Sequence, residues 1–546
     1  MVDIPVLIVG GGPVGLTASL LLSQYGVRSL LVERHPGTAI LPKSRGINAR
    51  TMEMYRQAGI EAAIRAAGLP AGRAGFIVWA ETLAGREIER RVPGRANPKN
   101  QAMSPVLNCL CAQDDLEPVL RRAAETAGLG ELRFGVELTN VRWDTTGAVG
   151  TLVERASGAE TTVAARYLIA ADGAQSRVRR AMGVRMQGEE RVYDSVNILI
   201  RADLQRWTAH RPAALYFIEQ PELRGTFLTI NGSDRWGFLI HSLSQYGWTP
   251  ADFTPARCVA LIRQAAGDPS LDVEVLGVSA WEASAIVAAR YRDGAVFLAG
   301  DAAHEMPPTG GFGLNTGAQD VHNLAWKLAA VLHGQADESL LDSYDAERRP
   351  LAEITTRNAL ANALSMGRTS RQDNAVLPRR EFLNEQGLIF GVTYESGAVI
   401  PDSTAMPEIA DPVTEYVPMA RPGSRAPHVW LECNGQRVST IDLFGQHFTL
   451  LAAGDGKAWR AAAAAVGERA RLPLRCHTIG PGGDLQNPDD DWPAAYGVEP
   501  GGAVLVRPDG YVAWRCRTAV ADAAAALGSA FDRLLGRPRQ AAAAAE

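Results

Sequence analysis

Cysteine is scarce in this chain and irregularly placed. The six cysteines are Cys109, Cys111, Cys258, Cys433, Cys476 and Cys516, and none of them forms a Cys-x-x-Cys pair. This spacing argues against a zinc site, a thioredoxin-type dithiol and a disulfide framework. We therefore predict a protein without a metal site that works in the reducing cytoplasm.

Other absences exclude further classes of protein. No apolar run approaches the roughly 18 residues of a membrane-spanning helix. The N-terminal apolar stretch follows an acidic residue, Asp3, and is broken at residues 10–13, which does not fit a signal peptide. The net charge is −5, the pI is near 6.1, and no dense Lys/Arg run is present. We expect neither a nucleic-acid nor a membrane partner.

The first 33 residues contain an ordered nucleotide-binding pattern. Residues 4–9 predict a buried strand of a parallel sheet. Gly-Gly-Gly-Pro-Val-Gly follows at residues 10–15, then a predicted helix over 17–25 and a second strand over 27–32. Together these elements predict a Rossmann-like unit in a chain long enough for three or four domains.

The glycine spacing has a physical reason. Gly10 permits a tight turn, Gly12 lets the backbone approach a pyrophosphate, and Gly15 allows close packing of helix on strand. The free N–H groups of the helix N-terminus face the phosphates, and Glu33, 18 residues beyond Gly15, can accept hydrogen bonds from a ribose. The predicted cofactor contacts here are Gly10, Gly12, Pro13, Val14, Gly15, Glu33 and Arg34.

Two later segments also deliver an acid at the end of a strand. Residues 167–171 predict a buried strand that runs into Asp172-Gly173, and residues 296–301 predict another that ends at Asp301. A loop too rich in proline and glycine to be helical follows Asp301, and a helix is predicted over 316–332.

In this order, the three motifs resemble those of the class A flavin-dependent aromatic monooxygenases over residues 1–370. The resemblance implies FAD as the cofactor, with Asp301 hydrogen-bonded to its ribityl chain. It also implies a dual role near FAD and the nicotinamide cofactor for Asp172, Gly173, Ser176 and Arg179.

Two smaller matches support the same resemblance. Gln113 opens a predicted helix at a place where the family sets a glutamine against the cofactor. Residues 42–53 match the family's loop and helix after the second strand, which implies a flavin contact for Arg45. Lys43 departs from the pattern, since many relatives have arginine there, but it is also assigned to the cofactor.

The final motif predicts electrostatic stabilisation of the flavin. Asn315 is a suitable N-cap for the following helix, whose N-terminus carries about half a positive charge. Placed at the edge of the flavin ring, that charge would stabilise the anionic reduced form. The predicted contacts of this region are Gly300, Asp301, Pro308, Gly311, Gly313, Leu314 and Asn315.

No second G-x-G-x-x-G unit follows a strand. Disulfide reductases, and the Baeyer–Villiger enzymes that have their own NADPH domain, therefore fit poorly. By the resemblance, NAD(P)H, with NADPH favoured, binds transiently as co-substrate together with O2.

The middle of the chain predicts a β-sheet that would cover the flavin. Strands are expected at residues 196–200, 215–218, 226–230 and 237–240, with residues 76–97 joining them. In the resembled family this sheet holds an aromatic substrate. The pocket candidates are Tyr216, Phe227, Trp236, Phe238 and His241, with a core position as the alternative for each. The catalytic base stays unidentified, and His304 is interpreted as a hydrogen-bonded structural residue.

The C-terminal third predicts an α/β unit with strands over 448–451, 503–507 and 512–514 and a helix over 457–467. It resembles the thioredoxin-like C-terminal domain of larger class A hydroxylases, without the redox cysteines. The predicted fold is thus α/β and α+β, with a Rossmann-like FAD domain, an inserted β-sheet domain and a thioredoxin-like domain. The predicted bounds are 1–75, 98–182 and 276–370 for the FAD domain, 76–97 and 183–275 for the substrate domain, 371–405 for a helical connector, 406–538 for the C-terminal domain and 539–546 for a tail.

Residues 109–118 and 315–327 are similar to aromatic polyketide hydroxylases of the tetracenomycin type. This resemblance implies hydroxylation of a polycyclic quinone or phenol through a flavin C4a-hydroperoxide, in a monomer or homodimer. Baeyer–Villiger insertion or oxidative ring cleavage on a similar scaffold is the alternative. A flavin-binding scaffold protein is the third hypothesis.

Overall fold

The computed structural model describes residues 3–94, 98–366, 379, 381–382 and 384–537. Most of the first half of the predicted connector, and the predicted tail at 539–546, lie outside these ranges. Strands and helices are numbered in chain order. The helices are α1 Pro13–Gln24, α2 Ala49–Gln57, α3 Glu61–Ala67, α4 Pro98–Gln101, α5 Gln113–Ala127, α6 Arg177–Ala181, α7 Gln205–Thr208, α8 Pro255–Ala266, α9 Phe312–Leu332, α10 Asp342–Ser365, α11 Gln386–Phe390, α12 Lys457–Ala470, α13 Trp492–Tyr496 and α14 Ala523–Leu534.

The first large sheet is built around the N-terminal strand. Its members are β1 Ile4–Val9, β2 Ser29–Glu33, β7 Gly130–Phe134, β8 Val136–Trp143, β9 Ala148–Glu154, β10 Glu160–Ala170, β16 Arg292–Asp293 and β17 Val296–Leu298. The order is β16-β17-β10-β1-β2-β7, and β10, β1, β2, β7 and β17 pair in parallel. β1, β2, β17 and the second half of β10 are mostly apolar and buried, as expected for strands covered on both faces. The predicted Rossmann-like pattern is therefore present.

Two helix starts differ from the sequence expectation. α1 begins at Pro13 rather than at residue 17, because proline's fixed φ suits the first helical position. α9 begins at Phe312 rather than at residue 316, with Gly311 as its N-cap at φ 70°. Asn315 therefore lies within the first turn of α9 and is not its cap.

The second large sheet contains all the strands predicted for the middle region. Its members are β4 Phe76–Ala80, β5 Glu87–Arg91, β11 Met186–Arg201, β12 Ala213–Glu219, β13 Arg224–Thr229, β14 Arg235–His241, β15 Glu274–Ala288 and β18 His304–Glu305, in the order β18-β15-β11-β14-β13-β12-β4-β5. β15 continues in this sheet to Ala288, past the predicted boundary at residue 276, because it pairs with almost the whole of β11. The chain returns to the first sheet only after that strand.

The two faces of this sheet have different neighbours. Even-numbered residues of β11 and β14 form a core with α8, as Ile198, Phe238 and Ile262 illustrate. The odd-numbered face turns toward the first domain: the Asn197 side-chain amide donates to the Pro42 carbonyl at 3.2 Å, and Leu199 packs with Ala112. We call this second surface the inner face.

The C-terminal region forms a separate four-stranded sheet. Its strands are β21 Phe448–Ala453, β22 Leu474–Ile479, β23 Ala503–Val506 and β24 Val512–Cys516, in the order β22-β21-β23-β24. β21 and β22 are parallel, and the other pairs are antiparallel. Short hairpins elsewhere are β3 Gly46–Ile47 with β6 Cys109–Leu110, and β19 Trp430–Cys433 with β20 Gln436–Ser439. β22 was not predicted from the sequence, whereas the other three strands were.

Candidate functional site

The glycine loop after β1 has the geometry that its spacing predicts. Gly10 has φ 111°, and a Cβ on it would lie 2.1 Å from the Ala171 carbonyl oxygen. A Cβ on Gly15 would lie 1.9 Å from the Gly10 carbonyl oxygen, so helix and strand touch there. At Gly12 the nearest atom to such a Cβ is a Glu117 oxygen at 4.0 Å. Backbone is thus open at Gly12, and α1, which starts with Pro13 and Val14, has no side-chain cap.

Glu33 stands at the end of β2, directly beside this loop. Its carboxylate accepts the Gly11 N–H at 2.7 Å and the His35 N–H at 2.9 Å. Arg34 is exposed next to it. The acid is therefore held at the loop by backbone donors, as a ribose-binding group would need to be.

Asp172 follows β10 and serves locally as a helix-capping group. Its carboxylate accepts the Ser176 hydroxyl at 2.5 Å and the Arg177 N–H at 2.8 Å at the start of α6. Burial raises the pKa of Asp172, against the effect of the Ser176 hydroxyl. Gly173 has φ 80°, which allows the turn.

Arg179 joins the loop of Asp172 to the turn of Asp301. Its guanidinium donates to the Ala174 carbonyl at 2.7 Å and to the Ala302 carbonyl at 3.1 Å. Burial lowers the pKa of this side chain. Two motifs that are far apart in sequence therefore form one continuous surface.

Asp301 occupies a turn after β17 that is built by Gly300 at φ 59°. The Asp301 side chain is accessible to solvent, yet the surrounding protein removes enough water to raise its pKa, while the charges of His304 and Lys43 act to lower it. His304 is buried and hydrogen-bonds Asp320 at 2.7 Å through Nε2. Asp301 is thus next to a structural histidine of the kind expected. We call the surface formed by the glycine loop after β1, the turn of Asp301 and the start of α9 the recess.

The start of α9 faces open space. A Cβ on Gly311 would meet nothing within 4 Å, and one on Gly313 would meet only Met306, at 3.9 Å. Pro308 is exposed and Leu314 is half-buried. No side chain caps α9, so its first N–H groups stay available.

Asn315 fixes the start of α9 against the loop before α2. Its amide donates to the Gly311 carbonyl at 2.7 Å and to the Gly46 carbonyl at 2.9 Å, and its oxygen accepts the Asn48 N–H at 2.9 Å. This bracing role replaces the N-cap role expected from sequence.

Three further predicted contacts divide between the recess and the middle sheet. Burial raises the pKa of Asp301 and of Glu117, and the charge of the exposed Lys43 opposes both shifts, so Lys43 belongs to the recess. Gln113 donates to Glu117 at 2.7 Å. Arg45 instead donates to the carbonyls of Ala214 at 2.6 Å and Thr229 at 2.8 Å. Arg45 therefore anchors the second sheet to the first domain.

Four of the five predicted pocket residues lie in the core. Tyr216, Phe227, Trp236 and Phe238 are at most 1% exposed and pack with α8, on the face turned away from the first domain. Side chains alternate along a strand. Tyr216, Phe227 and Phe238 are in register across three strands, and Trp236, two residues before Phe238, is on the same face. These four residues therefore occupy core positions, which was the alternative interpretation for each, and do not line the inner face.

His241 is on the inner face, within a cluster that sequence reasoning missed. Ser195 lies between Trp281 and His241 in register across three strands, and its hydroxyl is 2.8 Å from His241 Nδ1. The Tyr193 ring is 5.2 Å from the His241 ring, and the Trp281 ring is 6.1 Å from it. The alternation in the second half of β11 was the available signal: Val196, Ile198 and Ile200 are apolar, whereas Ser195 and Asn197 between them are polar.

The residues that surround the recess can hold a flavin nucleotide. Open backbone at Gly12, Gly311 and Gly313 leaves space where side chains would block a ligand. The carboxylates of Glu33 and Asp301, at its two ends, can accept hydrogen bonds from hydroxyl groups. In the described ranges, no group of three or more His, Cys, Asp or Glu residues could hold a metal ion, and no helix is long and apolar enough to cross a membrane.

Comparison with protein families and relatives agrees with this site. Residues 3–359 match the family model of the FAD binding domain, and residues 419–538 match that of the aromatic-ring hydroxylase C-terminal domain. The chain is 44% identical over 537 residues to a putative polyketide hydroxylase of Streptomyces halstedii, covering 95% of this chain and 94% of that protein. It is 39% identical to tetracenomycin A2 monooxygenase-dioxygenase of Streptomyces glaucescens, over 98% of this chain and 97% of that one.

A solved structure has the same fold over nearly the whole chain. The crystal structure of the flavin-dependent monooxygenase PieE, in complex with FAD and substrate, matches with a TM-score of 0.90 at 36% identity. The match covers 98% of this chain and 100% of PieE. The predicted resemblance to flavin-dependent polyketide hydroxylases is confirmed.

Proposed function

The chain belongs to the family of FAD-binding aromatic-ring hydroxylases, and from this premise we propose that it hydroxylates a polycyclic aromatic polyketide, with NAD(P)H and O2 as co-substrates. As a member of that family it is a flavoprotein monooxygenase. The proposal adds the substrate class, the reductant and the reaction.

One juxtaposition supports this proposal most directly. Tyr193 on the inner face packs against Ala363 of α10, and Thr309 of the loop before α9 donates to the Ala359 carbonyl of the same helix at 2.7 Å. The aromatic cluster of the inner face and the glycine-rich loop therefore meet at one helix, about one turn apart. A ligand between them would contact both.

We assign the two ends of FAD to different parts of the recess. Glu33 and the backbone at Gly12 would hold the ribose and pyrophosphate, and Asp301 would hold the ribityl chain. The start of α9 would face the flavin ring with its free N–H groups and favour negative charge there. When bound, FAD supplies electron transfer from NAD(P)H and the activation of O2.

The inner face suits a flat, oxygenated substrate. Tyr193 and Trp281 offer aromatic walls, and His241, bonded to Ser195, offers a polar group between them. Aromatic rings with a few placed polar groups are typical of small-molecule pockets. We infer that a phenol or quinone oxygen of the substrate is directed at His241.

The C-terminal domain is proposed to be thioredoxin-like. Its strand order, with one parallel and two antiparallel pairs, supports this fold, as do α12 between β21 and β22, α13 between β22 and β23, and α14 after β24. Cys433, Cys476 and Cys516 are distant from one another in sequence, so the dithiol chemistry of a thioredoxin is not part of the proposal. Its contacts with the first domain favour a structural role.

Insertion of oxygen into the carbon skeleton is the second candidate reaction. A relative's name, monooxygenase-dioxygenase, indicates that similar enzymes add more than one oxygen atom. Baeyer–Villiger insertion or ring cleavage on a polyketide would use the same site and would change the carbon skeleton of the product.

Product mass after reaction with ¹⁸O2 separates them. The holoenzyme is incubated with NADPH and a panel of polycyclic phenols and quinones, and products are analysed by mass spectrometry. We expect a gain of one labelled oxygen with the ring skeleton intact. A cleaved or ring-expanded skeleton would select the second reaction, and absence of any substrate-stimulated NADPH oxidation would contradict both.

A further inference from the structure

Asp320 is a buried carboxylate on α9 that joins this helix to the segment 300–304 and to α10. It accepts His304 Nε2 at 2.7 Å, Arg348 Nε at 2.8 Å and the backbone N–H of Gly300 at 3.2 Å. The side chains of Asp320, His304 and Arg348 are fully buried. Burial acts to raise the pKa of Asp320, but the charges of His304 and Arg348 outweigh it and lower that pKa. The group is therefore a carboxylate at neutral pH.

The Gly300 contact is the one that reaches the recess. Gly300 directly precedes Asp301 and adopts φ 59°, a left-handed conformation that glycine takes without strain. A Cβ on Gly317 of α9 would lie 2.9 Å from Gly300 Cα, so helix and turn are in contact. The Gly300 N–H belongs to the Ala299–Gly300 peptide, so its bond to Asp320 fixes the backbone that leads into Asp301.

Arg348 extends the network to the C-terminal domain. Its guanidinium donates to the Thr316 carbonyl at 3.1 Å and to the Tyr394 hydroxyl at 2.8 Å. The Tyr394 ring stacks on Tyr511 of the C-terminal domain, with centroids 4.1 Å apart. Contacts between the domains are thereby linked to the turn of Asp301.

We propose that Asp320 is a positioning residue for the flavin, holding the Gly300–Asp301 turn through Gly300 and His304, with Arg348 and Tyr394 fixing its own orientation. The inference rests on the proposed function in that Asp301 is taken to contact FAD. It assigns a role in the flavin site to residues that do not touch the cofactor.

A neighbouring ion pair provides the matched control. Lys327 lies about two turns further along α9 and pairs with Glu347 of α10 at 2.8 Å, equally buried. Glu347 also accepts two bonds from Arg507, at 2.6 and 2.9 Å, so it stays paired when Lys327 is replaced. In the described part of the chain, Lys327 has no hydrogen bond to the Gly300 turn.

The first test measures FAD affinity and the flavin midpoint potential without substrate, in full-length Asp320→Asn and Lys327→Met proteins. Losing a charge-assisted bond to the turn should weaken FAD binding about tenfold and shift the potential. Lys327→Met should lower thermal stability but bind FAD within about twofold of wild type. Equal FAD binding by Asp320→Asn and wild type, or equal losses in both variants, would overturn the proposal.

A second pair of variants remains informative if Asp320→Asn does not fold. His304→Gln keeps an N–H donor for Asp320, whereas His304→Leu keeps only the bulk. We expect His304→Gln to retain the FAD affinity and midpoint potential that His304→Leu loses. Identical behaviour of these two proteins contradicts the positioning role. Failure of the wild-type protein itself to bind FAD would refute the proposed function instead.

Discussion

The position of Asp301 favours binding of FAD but disfavours ionisation of its own carboxyl group. The recess that would let it bind the ribityl chain also removes water from its carboxylate, which raises its pKa above the ordinary 3.8. A carboxylic acid with a raised pKa in the folded state opposes folding wherever it must ionise. We therefore expect this residue to reduce the stability of the FAD-free protein in return for binding.

Asp301→Asn separates the two effects. The amide keeps the shape without the charge, so FAD affinity should fall by roughly ten- to a hundredfold, the value of a hydrogen bond to a charged group. The FAD-free variant should melt at a higher temperature than wild type at pH 7–8. Because the wild-type group becomes protonated as the pH falls, that difference should disappear toward pH 4.

The measurements are fluorescence titration with FAD and thermal unfolding of the FAD-free protein across this pH range. Glu160→Gln, which removes a carboxylate at the exposed start of β10, the opposite end of that strand from Asp172, serves as the control. Wild-type FAD affinity in Asp301→Asn would show that the ribityl site is elsewhere.

At the scale of single elements, sequence predicted the strands better than their faces. All four predicted strands of the middle sheet occur in it, because apolar residues bounded by turn residues specify a strand locally. Which face of β14 meets the first domain depends on the packing of α8 and on Pro42, contacts that are distant in sequence. A shift by one residue moves every side chain to the other face, so aromatic residues alone gave the wrong choice.

The start of α9 and the course of β15 show the same limit. Asn315 has a strong local preference for an N-cap, yet its hydrogen bonds to Gly46 and Asn48 are made across the chain. β15 extends past residue 276 because β11 is there to pair with it. In contrast, the glycine spacing after β1 was predicted to the residue. The close approach of Gly15 to Gly10 is local in sequence, and Gly10 meets Ala171 directly after β10, a strand that its own apolar pattern predicts.

Two tryptophans on opposite faces of the sheet test the inner face as the substrate surface. Trp281→Leu removes an aromatic wall and should lower kcat/KM for a polycyclic substrate roughly fivefold through lost stacking, with little change in unfolding. Trp236→Leu empties a core position that is 1% exposed and should cost about 2 kcal/mol of stability. Its KM should stay within about twofold of wild type.

Steady-state kinetics and urea unfolding of both variants test this assignment of faces. We expect the kinetic effect in Trp281→Leu and the loss of stability in Trp236→Leu. A larger rise in KM for Trp236→Leu than for Trp281→Leu would place the substrate on the α8 side.

At the scale of the whole molecule, the first and C-terminal domains are joined by buried charges. Glu53 of α2 is fully buried between Arg50, at 3.0 Å, and Arg425 of the C-terminal region, which contacts both carboxylate oxygens. Burial acts to raise the pKa of Glu53, but the charges of Arg425 and Arg50 prevail and lower it. Such a pair contributes little over apolar packing, but removing Arg425 leaves the fully buried carboxylate with Arg50 as its remaining cation, which is costly.

An exposed pair across the same boundary offers the comparison. Arg56, also on α2, donates to Asp442 at 2.6 Å, and both side chains are at least one quarter exposed. Exposed ion pairs contribute about 0–1 kcal/mol. The two arginine contacts therefore bridge the same domains with very different degrees of desolvation.

Arg425→Met should destabilise the protein by about 3–5 kcal/mol at pH 8, whereas Arg56→Met should cost less than about 1 kcal/mol. Because Glu53 has a lowered pKa in the wild type, its contribution is present above the ordinary value of 4.5 and is lost as the pH falls through the folded pKa. Without Arg425 the buried carboxylate protonates more readily, so the penalty of Arg425→Met should shrink between pH 8 and pH 5. Urea unfolding of both variants at several pH values measures this. A penalty that is independent of pH, or equal for the two variants, would mean that Arg425 stabilises the domain interface by packing rather than by charge.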